Sequence, residues 1–465
     1  MAIATFPSTS PDYKPVPIIN PIRTWNRFNL PTRMRSAARG DQKASRKPPV
    51  EPNHDFTGQN VIVTGANTGL GYQAALKFAS LGAQKLILGV RNMEKGEIAK
   101  LNIIESLGLT GDLNQIEVWP LDMLSYLSIK TFAAKANKSL ERLDIVVLNA
   151  GIMPPAPSVN PYSFRRKSGY KTSQYGWEET LQVNTLSTVY LALLLLPKLR
   201  ETSATVNPAP VLEFVGCSVY KDITLPPAFV RTPIQTCSKN ELANKTGNER
   251  DESLSIWKEN KMVRRLKKEG LKLEDIYTYK GKEQYDISKY ALQCAVRKIA
   301  EFVGPHEVVV ISCCPQECKT DIRRQALRYN KAGFTIKSAL DPRRHLRTSE
   351  QGARTLVSGT YQGRESHGMF WTNDQVQAFS KKKWVGYDCP DYLIDDTMIG
   401  FPLKKKRVPI SRYRTRTKSV EEQKEGLLKE GKLVSEFEQI ELVWKDILFC
   451  LAKDEPEVQH LVKAV

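Results

Sequence analysis

The run Thr64-Gly65-Ala66-Asn67-Thr68-Gly69-Leu70-Gly71 sets three glycines among small polar side chains, directly after the apolar stretch Val61–Thr64. A loop of this kind turns the chain tightly and lets a pyrophosphate approach main-chain N–H groups at the start of a helix. Apolar Ala74, Ala75, Phe78 and Ala79 follow at helical spacing and place that helix at the loop's end. Thr64, Gly65, Asn67, Gly69, Leu70 and Gly71 are therefore candidate cofactor-binding residues. The next apolar run ends Leu88-Gly89-Val90-Arg91-Asn92, with no acid between positions 85 and 93. A carboxylate at such a place holds a ribose 2′-hydroxyl, whereas an arginine accommodates a 2′-phosphate. Arg91 thus favours NADP(H) over NAD(H) as the ligand.

These groups need a frame. Apolar runs at Val61–Thr64, Lys85–Val90, Gln115–Leu121 and Asp144–Leu148 read as buried strands. Helical patterns over Tyr72–Leu81, Met93–Leu107 and Leu127–Ser139 separate them. The alternation resumes with a helix at Trp177–Leu199, a strand at Val211–Val215, a helix at Tyr285–Val303 and strands at Val308–Cys313 and Gly368–Trp371. This βαβ order predicts an α/β fold with a parallel, doubly wound sheet and helices on both faces. Residues 1–54 read as a disordered basic arm, 219–280 as a charged insertion and 375–432 as irregular and basic. A helical pattern at Glu436–Leu451 closes the chain, and 433–465 is taken as a C-terminal helical unit.

The formal net charge of +19 is unevenly placed. Residues 1–50 carry +7 and residues 402–418 carry +8, so the rest of the chain is close to neutral. A nucleic-acid protein concentrates its charge on a folded face, which this pattern does not suggest. The tract Phe401-Pro402-Leu403-Lys404-Lys405-Lys406-Arg407 resembles a nuclear-localisation or polyanion-binding patch, but a solvated insertion is the reading adopted. The Arg-rich, acid-poor arm also fits a mitochondrial transit peptide. A cytoplasmic protein with a solvated extension is the expectation. Val189–Leu196 is about half the length of a bilayer-crossing helix, so it is read as buried or subunit-facing and no membrane association is expected. The eight cysteines show no zinc spacing and follow no secretory signal, so reduced thiols and no metal site are expected.

Taken together, the TGANTGLG loop, Leu121-Asp122-Met123, Asn149-Ala150-Gly151, Asn184 in LQVNTLS and Tyr285-Asp-Ile-Ser-Lys289 resemble, in order, the motifs of the short-chain dehydrogenase/reductase family. The resemblance covers about 55–220 and 281–375, and the wording of WEETLQVNTLSTVYLALLLLPKLR and GRESHGMFW is similar to reductases of fungal secondary-metabolite pathways. It implies a Rossmann-type NADP-binding catalytic domain over 55–375. It implies that Asp122 bonds the adenine ring and that Asn149, Ala150 and Gly151 end a strand beside the cofactor. Tyr285 would act as general acid in reduction and base in oxidation. A free phenol titrates near 10, too high for base work at neutral pH. Lys289, one helical turn on, would lower that value and bond the nicotinamide ribose. Tyr277 and Tyr279 have no lysine four residues later. Asn184 would support a water-linked proton relay.

The chain departs from the family pattern in three places. The slot for a carbonyl-polarising serine falls on Cys217 in one alignment and Ser218 in another. A thiol is a poor donor, and Ser218 is the residue favoured. Ser218 and Tyr285 are 67 positions apart because 219–280 intervenes. Pro315-Gln316 stands where the family commonly has Pro-Gly, and Gln316 is expected to crowd the nicotinamide. Thr320 matches a position that commonly contacts the cofactor, and 319–350 is expected to cover the substrate. The function expected is NADP(H)-dependent hydride transfer to a carbonyl, or from an alcohol, of a small hydrophobic or secondary-metabolite substrate. The alternative is a cofactor-binding relative with little catalysis. Homo-oligomers would pair through the Val183–Leu199 helix. The irregular stretches also raise the idea of translated intron sequence, which continuous transcript reads across them would exclude.

Overall fold

The computed structural model describes residues 47–109, 115–153, 171–219, 281–320, 322, 346–377 and 436–464. Most of the arm, the 220–280 insertion, the Phe401–Arg407 tract and most of 319–350 lie outside the described residues.

Strands β1 (Asn60–Thr64), β2 (Lys85–Val90), β3 (Ile116–Pro120), β4 (Ile145–Leu148), β5 (Val211–Val215), β6 (Val309–Cys313), β7 (Phe370–Thr372) and β8 (Gln375–Gln377) form one sheet. Its order is β3-β2-β1-β4-β5-β6-β7-β8, parallel throughout except for the antiparallel β7–β8 pair. This is the doubly wound α/β fold expected. The final hairpin is an addition: β8 occupies 375–377, which the sequence reading left irregular. Asn373 and Asp374 close it at φ 52° and 55°, the left-handed pair that a two-residue hairpin turn requires.

The strands read as continuous apolar runs because both faces are covered. Val61, Val63, Leu86, Leu88, Val147 and Ile311 face one layer, with helices α1 (Gly69–Ser80), α2 (Met93–Leu107) and, after α5, α6 (Ser349–Gly359). Ile62, Ile87, Val146, Leu212 and Val310 face the other, with α3 (Tyr126–Ser139), α4 (Glu179–Ser203), α5 (Gly281–Phe302) and α7 (Glu436–Asp454). Local signals set several ends. Asn92 Oδ1 accepts from Lys95 N at 2.8 Å to open α2, and Thr348 with Gln351 forms a reciprocal capping box on α6.

Helix α4 begins two residues later than expected, runs on past Pro197, and contains a π turn at Gln182–Ser187. It is the described helix long and apolar enough to cross a membrane, and most of it is buried inside the fold. The chain's own C-terminus does part of that burying. Helix α7 packs along α5, and α8 (Val458–Ala464) packs on α4. The Tyr190 hydroxyl reaches Glu455 at 3.3 Å, Lys130 Nζ meets the same carboxylate at 2.7 Å, and Lys298 bridges to Glu441 at 2.9 Å. The face of Val183–Leu199 considered for subunit pairing is thus covered by the chain's own additions.

Residues 47–54, read as part of the arm, are docked as a strap. Arg347 donates to the Lys47 carbonyl and Arg354 to the Pro49 carbonyl, both at 3.2 Å, and Val50 N donates to Asp374 Oδ2 at 3.1 Å. The correction has a plain cause: main-chain oxygens have no periodicity to read, and their partners lie some 300 positions away.

Glu213 lies fully buried in β5 beneath α6, where a Cβ on Gly359 would touch its Oε2 at 2.1 Å. Among the described residues no full hydrogen bond reaches either carboxylate oxygen, with only the weak Cys313 thiol donor alongside. Burial pushes its pKa well above the ordinary 4.5. The folded state therefore holds the proton more tightly than the unfolded one. Stability is fullest below the ordinary carboxylate range and falls as pH rises toward the raised folded value. Between about pH 5 and about pH 8 the thermal midpoint should decline, and Glu213→Gln should flatten that decline and raise the midpoint at the alkaline end. Equal slopes for both proteins would mean that Glu213 is solvated or paired.

Candidate active site

The carboxyl ends of β1 and β4, where the strand order reverses, form the crevice in which open α/β sheets bind ligands. The glycine loop lies there. Gly65 extends the β1–β2 ladder, its N–H donating to the Gly89 carbonyl at 2.8 Å, and turns at φ 66°. Gly71 is packed so closely that a Cβ would stand 2.4 Å from the Gly65 oxygen and 2.5 Å from Asn149 Nδ2. Thr68 opens α1 without making a side-chain cap, and the first turn carries no acid. The loop thus presents an uncapped helix N-terminus to the crevice, as an anionic pyrophosphate requires. Across from it stands Thr320, 3.8 Å from the point where a Cβ on Gly69 would lie. Leu70 points instead into α6, against Gly352. Asn67 is half-buried in the loop.

Thr64 and Asn149 brace this loop. Thr64 is fully buried, and its hydroxyl accepts from Ala150 N at 2.9 Å. Asn149 Nδ2 donates to the Thr64 carbonyl at 2.9 Å. The Thr64 hydroxyl and the Asn149 amide nitrogen tie the ends of β1 and β4 together. Arg91 leaves the end of β2 exposed and without an ion pair among the described residues. Asp122 is half-buried after β3, with Oδ1 accepting from Leu124 N at 3.0 Å. One of its oxygens therefore serves the turn.

The chemical residues meet on the other side of the crevice. Asn184 sits buried in the π turn of α4, where the widened helix brings it against β4's exit. Its Oδ1 accepts from Ile152 N at 2.8 Å, and its Nδ2 donates to the Ile152 carbonyl at 2.9 Å and to Ser288 Oγ at 3.0 Å. Ser288 Oγ in turn donates to the Tyr285 carbonyl at 2.7 Å. A Cβ on Gly151 would lie 3.2 Å from Asn184 Oδ1 and 3.8 Å from Lys289 Nζ. Gly151, Asn184, Ser288, Tyr285 and Lys289 are thereby gathered from three elements. Tyr285 is half-buried at the start of α5, and Lys289 follows one turn later, 5% exposed. Lys289 Nζ donates to the Val215 carbonyl at 2.8 Å. Burial lowers its pKa, and the neighbouring thiols of Cys217, Cys314 and Cys313 oppose that shift.

Ser218 and Cys217 both sit half-buried beyond β5. Ser218 N donates to Cys314 Sγ at 3.3 Å. The Cys217 thiol also donates to that sulfur, which raises the Cys217 pKa and lowers that of Cys314. Gln316 follows β6 at the position read as crowding the nicotinamide. Its backbone takes φ 66°, the conformation that favours glycine, but its side chain is turned to β7, donating to Thr372 Oγ1 at 2.8 Å.

Two contributors escaped the sequence reading. Arg347, 1% exposed, joins the Pro315 carbonyl at 3.2 Å to Asn373 Oδ1 at 2.7 Å, and its main chain pairs with that of Glu317 and Lys319. It fixes the segment leading to Thr320. Cys314 was visible as part of a cysteine cluster but not as an acceptor shared by two turns.

Residues 59–206 match the family described as short chain dehydrogenase. The chain is 35% identical over 334 residues to a short-chain dehydrogenase/reductase of Aspergillus flavipes, covering 72% of this chain and 82% of that one. It is 36% identical over 353 residues to a short-chain dehydrogenase/reductase of Phaeosphaeria nodorum, covering 73% and 88%. Among solved structures it is similar to salutaridine reductase from Papaver somniferum, at 17% identity over 67% of this chain and 99% of that one, with a TM-score of 0.43.

The packing at Gly71 yields a direct test of the loop. Gly71→Ala should weaken NADPH binding by about 1–3 kcal/mol, roughly 5- to 150-fold in Kd, read by cofactor fluorescence, with the far-ultraviolet circular dichroism unchanged. An unaltered Kd would remove the loop from the cofactor site.

Proposed function

This chain belongs to the short-chain dehydrogenase/reductase family and is an oxidoreductase; on that footing we propose that it reduces the carbonyl of a small hydrophobic, secondary-metabolite-like substrate with NADPH. The supporting observation is the approach of Asn184 and Lys289 to Gly151, with Ser288 tying Asn184 to the Tyr285 main chain one turn before Lys289, at the crevice edge shared with the glycine loop.

The residues fit the cofactor. The uncapped α1 N-terminus takes the pyrophosphate, Thr320 stands across from it, and the exposed Arg91 guanidinium meets a ribose 2′-phosphate. Asp122 holds the adenine edge through the oxygen its turn leaves open. A bound nicotinamide supplies the hydride.

The chain's own groups manage the proton. The Tyr285 phenol donates to the substrate oxygen as it gains charge. Lys289, held by the Val215 carbonyl, places a cation one turn away and favours the phenolate that remains. Asn184, locked by both polar groups of Ile152, fixes the exit of β4 against α5 and lines the route by which the proton is restored. Ser218 offers its hydroxyl to the same substrate oxygen. The substrate is a small molecule and the site of action is the cytoplasm. A second reading, cofactor binding with little turnover, draws support from Cys217 standing beside Ser218 with both bonded to Cys314.

One experiment separates the two. With a panel of hydrophobic ketones, aldehydes and quinones, the wild-type protein should oxidise NADPH. Tyr285→Phe should lower kcat by roughly 10²- to 10⁴-fold while NADPH binding is retained. NADPH binding without turnover across the panel would favour the second reading.

A further inference from the structure

The sheet brings two thiols together at the base of this site. Strands β5 and β6 pair in register, Val215 opposite Cys313, and Gly216 N extends the ladder by donating to the Cys313 carbonyl at 2.7 Å. Beyond this pair the chains continue to Cys217 and Cys314: Ser218 N reaches Cys314 Sγ at 3.3 Å, which sets the adjoining Cys217 beside it, and the interaction of the two thiols raises the Cys217 pKa and lowers that of Cys314. The two sulfurs differ in kind. Cys217 is half-buried, whereas Cys314 is 1% exposed. Cys314 Sγ also accepts from Ser218 N at 3.3 Å and Gln316 N at 3.4 Å. Three donors around one sulfur, near the Lys289 ammonium, stabilise a thiolate. The remaining cysteines among the described residues are placed otherwise. Cys313 faces Glu213 through the opposite side of the sheet, Cys318 Sγ donates to the Pro315 carbonyl at 3.4 Å, and Cys294 and Cys450 are buried in helices.

We propose that Cys217 and Cys314 are a redox-active dithiol that a peroxide closes to a disulfide beneath the active site. Cys217 is the sulfur that the oxidant meets, and Cys314 is the sulfur that resolves. The Cys314 thiolate acts as base: as the Cys217 sulfur attacks one peroxide oxygen and the O–O bond breaks, the Cys217 proton passes to Cys314, and the departing hydroxide takes a solvent proton to become water. Cys217 is now a sulfenic acid. Cys314 sulfur attacks it, the S–S bond forms and the S–O bond breaks, and the departing hydroxide takes the Cys314 proton as a second water. Two electrons pass from the sulfurs to the peroxide, and a dithiol reductant reverses the change.

Closure removes the sulfur anion that holds Ser218 N–H and Gln316 N–H and that sits near buried Lys289. Turnover falls as a result. That consequence rests on the reductase reading, whereas the disulfide does not.

The test is peptide mapping of the full-length protein treated with hydrogen peroxide, alkylated and digested without reductant. Trypsin should yield the peptide 201–221 joined to the peptide 299–319, which carries Cys313, Cys314 and Cys318. The joined species should vanish in Cys217→Ser and in Cys314→Ser and persist in Cys313→Ser, Cys318→Ser and Cys450→Ser. NADPH-linked turnover should fall roughly tenfold or more and return with dithiothreitol. No joined peptide in the wild-type protein, or a join that survives Cys314→Ser, overturns the dithiol. A join that leaves turnover unchanged overturns the control of activity. Absence of turnover before oxidation would sink the reductase reading alone, because the joined peptide is scored independently.

Discussion

A buried ammonium must find acceptors inside the protein, and the position of Lys289 organises the site around that need. Removed from water, the group is held by the Val215 carbonyl and flanked by thiols. That bond is available only because β5 ends beside α5, and β5 ends there because its ladders to β4 and β6 stop together at the carboxyl edge. The same edge carries Gly151, whose missing side chain leaves room for Lys289 and Asn184 to approach. A Cβ at Gly151 would crowd Asn184 Oδ1 and stand in ordinary contact with Lys289 Nζ. The catalytic reading thus rests less on a motif than on three element ends meeting around one charge.

The additions to the common frame act as braces. Arg347 bonds three segments: the strap at Lys47, the turn after β6 at Pro315 and the β7–β8 turn at Asn373. The C-terminal helices cover α4 and α5 on the far side. Burial of the apolar Val189–Leu196 stretch is therefore met within one chain, and pairing of subunits through that face would require α7 and α8 to move.

Much of the frame was legible in the sequence, for reasons that can be named. Strands buried on both faces leave largely apolar runs, interrupted in β5 by Glu213 and in β6 by Ser312, so β1, β2, β4, β5 and β6 stand out. The glycine loop is legible because its conformation and close packing exclude side chains at Gly65 and Gly71. Tyr285 and Lys289 are legible because one helical turn fixes their relation. The π turn in α4 is not, since a one-residue change of register is decided by what Asn184 and Thr185 bond across the core. The Arg347 clamp is not, because its partners are carbonyls and a distant turn. The β7–β8 hairpin had a signal that was passed over, the Asn373-Asp374 dipeptide. Gln316 shows the limit of position-by-position comparison: the backbone keeps the glycine conformation while the side chain finds Thr372.

The central claim is that the uncapped loop and Arg91 together hold a dinucleotide carrying a 2′-phosphate. Parallel fluorescence titrations of the purified chain with NADPH and NADH test it most directly. A charge-assisted pair to the phosphate is worth about 1.5–3 kcal/mol, so NADPH should bind roughly 10- to 150-fold more tightly than NADH, and Arg91→Ser should erase most of that difference. Equal affinities would remove Arg91 from the site, and binding of neither would contradict the account of the crevice as a whole.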